Sequence, residues 1–284
     1  MINSGGSYHD LYIYLIEGVV PAEDEATFGE QFIGRWIEGE SSFLFFSESS
    51  REKVDVLLRS RPGLSLFQEH KFSYDEWQGS IPEPIRVESF LIVPPWKNVE
   101  AEKGLIKILL DPGVVFGTGL HPTTRDCLKA LLGLMSRERV ERVLDLGTGT
   151  GILALAAARL GAQKILAVDL NPLCVRTTRR NVSLNHLEGT IEVAEGKAED
   201  LVGSPADLVV ANIHYDALTR LVDQPEFQGR PWYILSGLLR SQARDIEARL
   251  PAHRLKVERR WDHEATWYTL LVKGSAQREL KFLK

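Results

Sequence analysis

The sequence of 284 residues is poor in the features that stabilise secreted, metal-bound or membrane-embedded proteins. Its only two cysteines, Cys127 and Cys174, form no CxxC pair and no Cys/His ligand spacing, which disfavours a zinc module and a disulfide scaffold. No apolar run approaches the ~20 residues of a membrane span, and residues 1–10 carry no apolar signal region. We therefore expect a soluble cytoplasmic protein without a bound metal or a membrane contact.

Basic charge is scarce in the first third of the chain. Residues 1–100 contain 17 acidic and 8 basic side chains, whereas the other 184 residues contain 22 acidic and 26 basic ones. An acidic surface repels phosphate backbones and attracts basic partners. The imbalance favours a basic protein partner over a nucleic acid, and acidic side chains that serve only solubility are the alternative.

Two patterns of secondary structure divide the chain. Residues 1–78 predict a small α+β domain, and apolar residues recur at helical spacing between positions 25 and 37. Residues 79–104 are rich in proline and predict a linker that contains one strand, Val87–Val93. In the remainder, 105–284, strands alternate with helices, which predicts a doubly wound parallel sheet closed by a C-terminal hairpin.

The most informative motif is a glycine-rich turn between a predicted strand and a predicted helix. Asp145 lies near the end of the strand, and Gly147, Gly149 and Gly151 follow. Glycines let a ligand lie against bare backbone, and the helix N-terminus directs its amides into the same crevice. The spacing differs from the G-x-G-x-x-G of dinucleotide sites, and an acid at position 145 suits a cationic amine. We therefore predict S-adenosylmethionine as the cofactor, with a nicotinamide dinucleotide and an unused glycine turn as alternatives.

Polar residues also follow the next three strands. Asp169 stands 22 residues after the first glycine of the turn, where a carboxylate accepts hydrogen bonds from ribose hydroxyls. Glu199 follows the third strand, where an adenine edge would lie. Asn212 ends the fourth strand and is a candidate to hold the donor nitrogen or the methionine part of the cofactor. His214 and Tyr215 come next and are candidate substrate contacts, with a solvated loop histidine as the alternative.

Five segments within residues 86–273 resemble a known family: DPGVVFGTGLHPTT, VLDLGTGTGILALAAARLGA, VDLNP, VVANI and LSGLL. The family is the ribosomal protein L11 methyltransferases (PrmA type). The resemblance implies a seven-stranded Rossmann-like class I methyltransferase domain at 105–284, behind a substrate-recognition domain at 1–78. It also implies transfer of methyl groups from S-adenosylmethionine to lysine or N-terminal amines of a ribosomal protein.

The resemblance carries four cofactor contacts onto this sequence by position: Thr124, Gly147, Asp169 and Asn212. Phe116 lines the pocket near the transferred methyl group, and Asn212 is a second candidate catalytic residue. His214 is a third, because its type and place suit a proton acceptor. The expected cofactor-binding residues are Thr118, Gly119, Thr124, Asp145, Gly147, Gly149, Gly151, Asp169, Glu199 and Asn212.

Three features depart from the family's pattern. Leu120 replaces a threonine, and residues 214–217 replace small residues and a proline-leucine pair. Only residues 42–47 lie between the two predicted N-terminal helices, so we expect a truncated ferredoxin-like domain that lacks one of four strands. The departures leave open a methyltransferase of another protein, a nucleic-acid base or a small molecule, and a non-catalytic cofactor-binding module. We expect a monomer with a basic ribosomal protein as partner and no direct binding of nucleic acid.

Overall fold

Chain contacts separate the described residues, 9–77 and 84–274 of the computed structural model, into two units. The first unit contains residues 9–77 together with 94–98 and 171–173, and the second contains the rest of the described residues. Within the described ranges, no helix combines the length and hydrophobicity that a transmembrane span requires.

The first unit contains a four-stranded antiparallel sheet. Its elements are β1 (Asp10–Glu17), a 3₁₀ helix (Ala22–Thr27), β2 (Phe32–Glu38), β3 (Ser41–Phe46), α1 (Arg51–Ser60), β4 (Ser65–Ser73) and α2 (Tyr74–Trp77). The strand order is β2-β3-β1-β4. Tyr14, Phe46 and Val54 are buried in one cluster, which places the core of this unit between its sheet and α1.

The segment around Trp36 is a strand, and the predicted helix between positions 25 and 37 is wrong. β2 pairs with β3, and its register shifts between Phe32 and Gly34. This β-bulge interrupts the two-residue alternation of a strand, so the apolar side chains recur at a spacing that imitates a helix. The predicted loss of one strand is wrong for the same reason. All four strands of a ferredoxin-like sheet are present, and the first helix is reduced to a 3₁₀ helix.

Residues 84–104 differ from the predicted proline-rich linker. The strands here are β5 (Ile85–Val87), β6 (Phe90–Val93) and β7 (Ile106–Leu109). The predicted single strand turns back on itself at Glu88, which has a φ of 51°, so β5 and β6 form an antiparallel pair. Phe90 and Ile92 are buried in a core of the second unit. Residues 84–93 and 99–104 therefore belong to that unit, whereas 94–98 belong to the first, and residues 78–83 lie outside the described residues.

The second unit contains the predicted seven-stranded sheet. Its elements are α3 (Pro122–Met135), β8 (Arg142–Leu146), α4 (Ile152–Arg159), β9 (Lys164–Asp169), α5 (Pro172–Leu184), β10 (Ile191–Glu195), α6 (Ala198–Leu201), β11 (Leu208–Asn212), α7 (Tyr215–Val222), β12 (Trp232–Leu239), α8 (Arg240–Arg249), β13 (Leu255–His263) and β14 (Trp267–Gly274). The strand order is β10-β9-β8-β11-β12-β14-β13. Strands β8 to β12 are parallel, and β14 runs antiparallel between β12 and β13.

Helices cover both faces of this sheet. α3 and α4 bury apolar side chains against one face, and α7 and α8 do so against the other. The strands of a doubly wound sheet are buried on both faces, which explains the near-continuous apolar runs of β8 and β11. The doubly wound fold and its closing C-terminal hairpin are therefore confirmed.

Candidate active site at the carboxyl edge of the sheet

The candidate site lies where the parallel strands β8, β9 and β11 end. β8 lies between β9 and β11, and ligands of doubly wound folds bind where the strand order reverses in this way. Asp145 is the penultimate residue of β8, and Asp169 and Asn212 are the last residues of β9 and β11. The fold therefore brings three predicted site residues to one edge, which we call the carboxyl edge.

The glycine-rich turn after β8 is fixed by backbone contacts. The N–H groups of Gly147 and Thr148 donate to the carbonyl oxygen of Val168, at 2.8 and 2.9 Å. Gly149 has a φ of 59°, and a Cβ at this position would lie 2.5 Å from the carbonyl oxygen of Phe116. Because a backbone atom cannot move aside as a flexible side chain can, the turn requires glycine at this position.

A second loop, residues 116–119, lies against the glycine-rich turn. Thr150 donates its N–H to the carbonyl oxygen of Phe116 at 3.1 Å and its hydroxyl to that of Gly117 at 2.7 Å. Thr118 in this loop is half-buried, and Gly119 is buried. Two motifs that are distant in the sequence thus form one double loop, and Gly151 is the N-cap of α4 behind it.

Two asparagines at the end of α5, Asn181 and the residue directly after the helix, Asn185, hold the chain segment that leads into the double loop. Asn181 donates to the carbonyl oxygens of Asp111 and Thr150, at 2.9 and 2.8 Å, and accepts from the Asp111 N–H at 2.8 Å. One turn later, Asn185 exchanges hydrogen bonds with both backbone groups of Leu109. The sequence analysis missed both residues. Their spacing of four on a predicted helix, which puts both on one face, was the available signal.

Asp145 is buried, and only one of its two carboxylate oxygens has a hydrogen-bond partner among the described residues. Its Oδ2 accepts a hydrogen bond from the Thr148 hydroxyl at 2.6 Å, and its Oδ1 has no hydrogen-bond partner among the described residues. Burial, reinforced by the charge of Asp169, raises the pKa of Asp145 to about 7. A cationic donor beside Oδ1 would supply the missing partner and favour the ionised form.

Thr124, like Asp145, has a buried polar atom without a hydrogen-bond partner in the described part of the chain. Its Oγ1 is buried without a hydrogen-bond partner among the described residues. Cys127 lies one turn after Thr124 on α3 and is also buried. Burial, with a contribution from the charge of Asp145, raises the pKa of the Cys127 thiol to about 12. Buried polar atoms are almost always hydrogen-bonded. An unpartnered hydroxyl and an unpartnered carboxylate oxygen are therefore the feature that a polar, partly cationic ligand fits.

The other predicted cofactor residues differ in how far they are already engaged. The Oδ2 of Asp169 accepts a hydrogen bond from the Gly149 N–H at 2.9 Å, which holds this carboxylate beside the turn. Glu199 forms an ion pair with Arg220 at 2.8 Å; burial raises its pKa, but the arginine outweighs burial and the pKa is lowered. No hydrogen bond of the described residues engages the Asn212 side chain. A ligand therefore meets an open amide at Asn212 and a paired carboxylate at Glu199.

Three aromatic rings form a wall beside the double loop. The rings of Phe116 and His121 are 5.2 Å apart, and those of His121 and Trp267 are 4.9 Å apart, both in edge-to-face contact. His121 is the N-cap of α3, and its Nδ1 contacts the Thr123 hydroxyl at 2.7 Å and the Thr123 N–H at 3.4 Å. Burial and the charge of His263 lower the pKa of His121. The sequence analysis missed His121 and Trp267, because only the fold brings the start of β14 to α3.

His214, the predicted proton acceptor, lies at the N-cap of α7. Its side chain is exposed and makes no capping hydrogen bond. The neighbouring Tyr215 hydroxyl instead donates to Asp245 at 2.7 Å. The catalytic role of His214 stays a prediction.

Comparisons with known proteins show the family to which this chain belongs. The family model "Ribosomal protein L11 methyltransferase (PrmA)" matches residues 64–275. A protein of Pelotomaculum thermopropionicum named ribosomal protein L11 methyltransferase is 35% identical over 241 residues, which cover 81% of this chain and 76% of that protein. One of the same name from Geobacillus kaustophilus is 38% identical over 179 residues, 62% of this chain and 57% of its own length.

A solved structure extends the similarity to the fold. The crystal structure of a ribosomal protein L11 methylase from Lactobacillus delbrueckii subsp. bulgaricus is 29% identical, with a TM-score of 0.59. The match covers 68% of this chain and 100% of that one.

Proposed function

We propose that this chain, which belongs to the ribosomal protein L11 methyltransferase (PrmA) family, is an S-adenosylmethionine-dependent methyltransferase that acts on amino groups of ribosomal protein L11. The observation that carries the proposal is the double loop joined to the half-satisfied carboxylate of Asp145. The glycine-rich turn exposes backbone to a ligand, and Oδ1 of Asp145 lacks a hydrogen-bond donor among the described residues. Both fit the amino acid part of the cofactor better than a pyrophosphate, which Asp145 would repel.

The proposed cofactor contacts follow from these groups. S-adenosylmethionine, when bound, supplies a methyl group on a positively charged sulfur. Asp145 would accept from its amino group, Asp169 would hold the ribose hydroxyls, and Asn212 would take the methionine part. The remaining contacts are proposed for Thr118, Gly119, Thr124, Gly147, Gly149, Gly151 and Glu199.

The protein's own contribution to the reaction is position and desolvation. A lysine amine has an ordinary pKa of about 10.4, so it must lose a proton before its lone pair can react. The wall of Phe116, His121 and Trp267 places apolar surface at the carboxyl edge, and removal of water from an ammonium group lowers its pKa. Because Nδ1 of His121 is used by the helix cap, we assign the proton to solvent. Orientation of the amine supplies the remaining rate enhancement.

The substrate proposal includes the first unit as the recognition domain. Its support is the acidic balance of residues 1–100. In that unit, Arg61 neutralises Glu23 and Asp24, whereas Glu30 and Glu48 are exposed and have no basic partner among the described residues. We further propose a monomer that acts in the cytoplasm on the free basic protein, without contact to RNA. Sedimentation of the full chain tests the monomer, and competition by ribosomal RNA tests the lack of contact to RNA.

The decisive experiment is transfer of radiolabelled methyl from S-adenosylmethionine into purified ribosomal protein L11, with Asp169→Ala as the blank. We expect label on the L11 band with the native chain and none with the variant. Label on another protein of the same extract would keep the chemistry and replace the substrate. No label on any protein, with the cofactor still bound in isothermal titration, would contradict the proposal in favour of a non-catalytic module.

A further inference from the structure

A surface hollow of about 540 Å³ opens beside the carboxyl edge. We call it the arginine hollow. It is lined by Leu239, Arg240, Ser241, Arg244, Ala265 and Thr266. These residues come from the end of β12, the first turns of α8 and the turn between β13 and β14. The hollow is therefore built where a strand end, a helix and a hairpin meet.

The two arginines of the hollow carry uncompensated charge. Arg240 and Arg244 are exposed and one helical turn apart, and neither forms an ion pair within the described part of the chain. The third arginine of α8 differs, because Arg249 pairs with two aspartates at 2.7 and 2.9 Å. Asp262 and Glu264 lie on or beside the facing hairpin turn, and neither pairs with the two arginines.

A continuous strip of apolar side chains joins the arginine hollow to the candidate active site. Leu239, which lines the hollow, is opposite Trp267 in the antiparallel pair of β12 and β14, so their side chains are neighbours. Trp267 contacts His121, and His121 contacts Phe116 of the double loop. Phe116, Leu120 and Leu239 are 48, 46 and 40% exposed. Exposed large apolar side chains that adjoin one another mark an interaction surface.

We infer that the arginine hollow binds an acidic side chain of the protein substrate, in the segment that carries the methylated amine, while the apolar strip receives an apolar neighbour. Guanidinium groups bind carboxylates in a forked, directional way. With the amine in the active site and a carboxylate in the hollow, the segment is fixed at two points. A phosphate backbone fits less well, because Asp262 and Glu264 would face its other charges. The inference rests on the proposed function and adds a sequence preference to it.

The first test uses steady-state methylation of ribosomal protein L11 by the full chain. In the double variant Arg240→Glu/Arg244→Glu, we expect KM to rise about tenfold with kcat within about twofold, because the lost contact only positions substrate. The matched control is Lys256→Glu/Arg259→Glu, which makes the same charge change away from the hollow, on β13, and should leave KM within about twofold. An equal rise in both double variants, or none in either, overturns the inference and leaves the methyltransferase proposal standing.

The second test is independent of catalysis. Two fluorescein-labelled lysine peptides are compared by anisotropy, one with glutamate and leucine flanking the lysine and one with arginine and leucine. The native chain should prefer the acidic peptide, and the double variant Arg240→Glu/Arg244→Glu should prefer the basic one. A merely structural role of the arginines would not reverse the preference. Equal affinities in both chains overturn the inference, and tighter binding of a single-stranded RNA probe than of either peptide overturns it in favour of a nucleic acid.

Discussion

The aspartates at the two edges of the seven-stranded sheet differ in their hydrogen-bond partners and in the direction of their pKa shifts. At the amino edge, Asp207 accepts hydrogen bonds from the N–H groups of Glu141 and Arg142, at 3.1 and 2.8 Å, and pairs with the Arg142 guanidinium at 2.8 Å. At the carboxyl edge, Asp145 leaves Oδ1 without a partner. Burial raises the pKa of both carboxyls. The partners of Asp207 outweigh burial and lower its pKa, whereas the pKa of Asp145 rises to about 7.

This difference separates a carboxylate that holds the fold together from one that fits a ligand. The amino edge also has a hollow of about 810 Å³, larger than the arginine hollow and lined by Arg142 and Lys164 among others. Yet Arg142 is already paired with Asp207. The size of a cavity therefore does not identify the functional edge. Buried polar atoms that lack partners do, because an unsatisfied group costs free energy that a ligand can recover.

The largest effect is expected from Gly149→Ala. A Cβ would lie 2.5 Å from a backbone oxygen of the partner loop, so the double loop must shift. With strain of about 2 kcal/mol, cofactor affinity should fall about 30-fold in isothermal titration. Gly161→Ala is the matched control, because Gly161 also has a positive φ but nothing lies within 4 Å of its added Cβ. Similar losses in the two variants would mean that backbone strain alone, and not loop contact, matters.

The next effect concerns the pH dependence of Asp145. Its folded-state pKa of about 7 exceeds the ordinary 3.8, so the folded state holds the proton longer than the unfolded state. Stability contributed by this group should therefore fall as pH rises from about 4 to about 7, and a cationic ligand should bind with proton release below about pH 7. In Asp145→Asn, cofactor affinity at pH 8 should fall about tenfold and proton release should vanish. Titrations in buffers of different ionisation enthalpy measure the release, and unchanged release in the variant would contradict the assignment.

At the amino edge, Asp207→Ala should affect stability and not the ligand. The pKa of Asp207 is lowered, so its contribution is present above about pH 4 and is lost as pH falls through the folded-state value. Removal of a carboxylate that accepts two backbone hydrogen bonds should reduce the free energy of unfolding at pH 7 by about 2 kcal/mol. Urea denaturation measures this loss, and cofactor affinity of the folded variant should be unchanged. A fall in cofactor affinity would show that Asp207 also affects the ligand site, and the two edges would then not differ in function.

The smallest effect is expected from Thr124→Val. The substitution removes a buried hydroxyl without a partner and keeps the shape of the side chain. The free energy of unfolding should stay the same or rise by up to about 1 kcal/mol, while cofactor affinity falls about threefold. Parallel denaturation and titration separate the two quantities. A clear loss of stability would show that the hydroxyl supports the fold.

The two units differ in how well their sequences predict them. In the second unit, strands buried on both faces give uninterrupted apolar runs, so β8, β9 and β11 and the edge at which they end were predictable. In the first unit, the bulge at Gly34 displaced the side chains of β2 from alternation, and the strand imitated a helix. Local periodicity fails where one extra residue changes the face of the sheet that a side chain joins.

The sequence by itself determined the fold class, the glycine-rich turn and the acids and amide that end successive strands, because parallel strands bring their carboxyl ends to one edge whatever else the chain does. Only the tertiary structure decided that residues 116–119 lock onto the turn through Thr150, that Trp267 meets His121, and that Asp145 keeps an oxygen without a partner. Each of these depends on contacts between segments distant along the chain. Their distances and desolvation are fixed by packing, which no local pattern encodes.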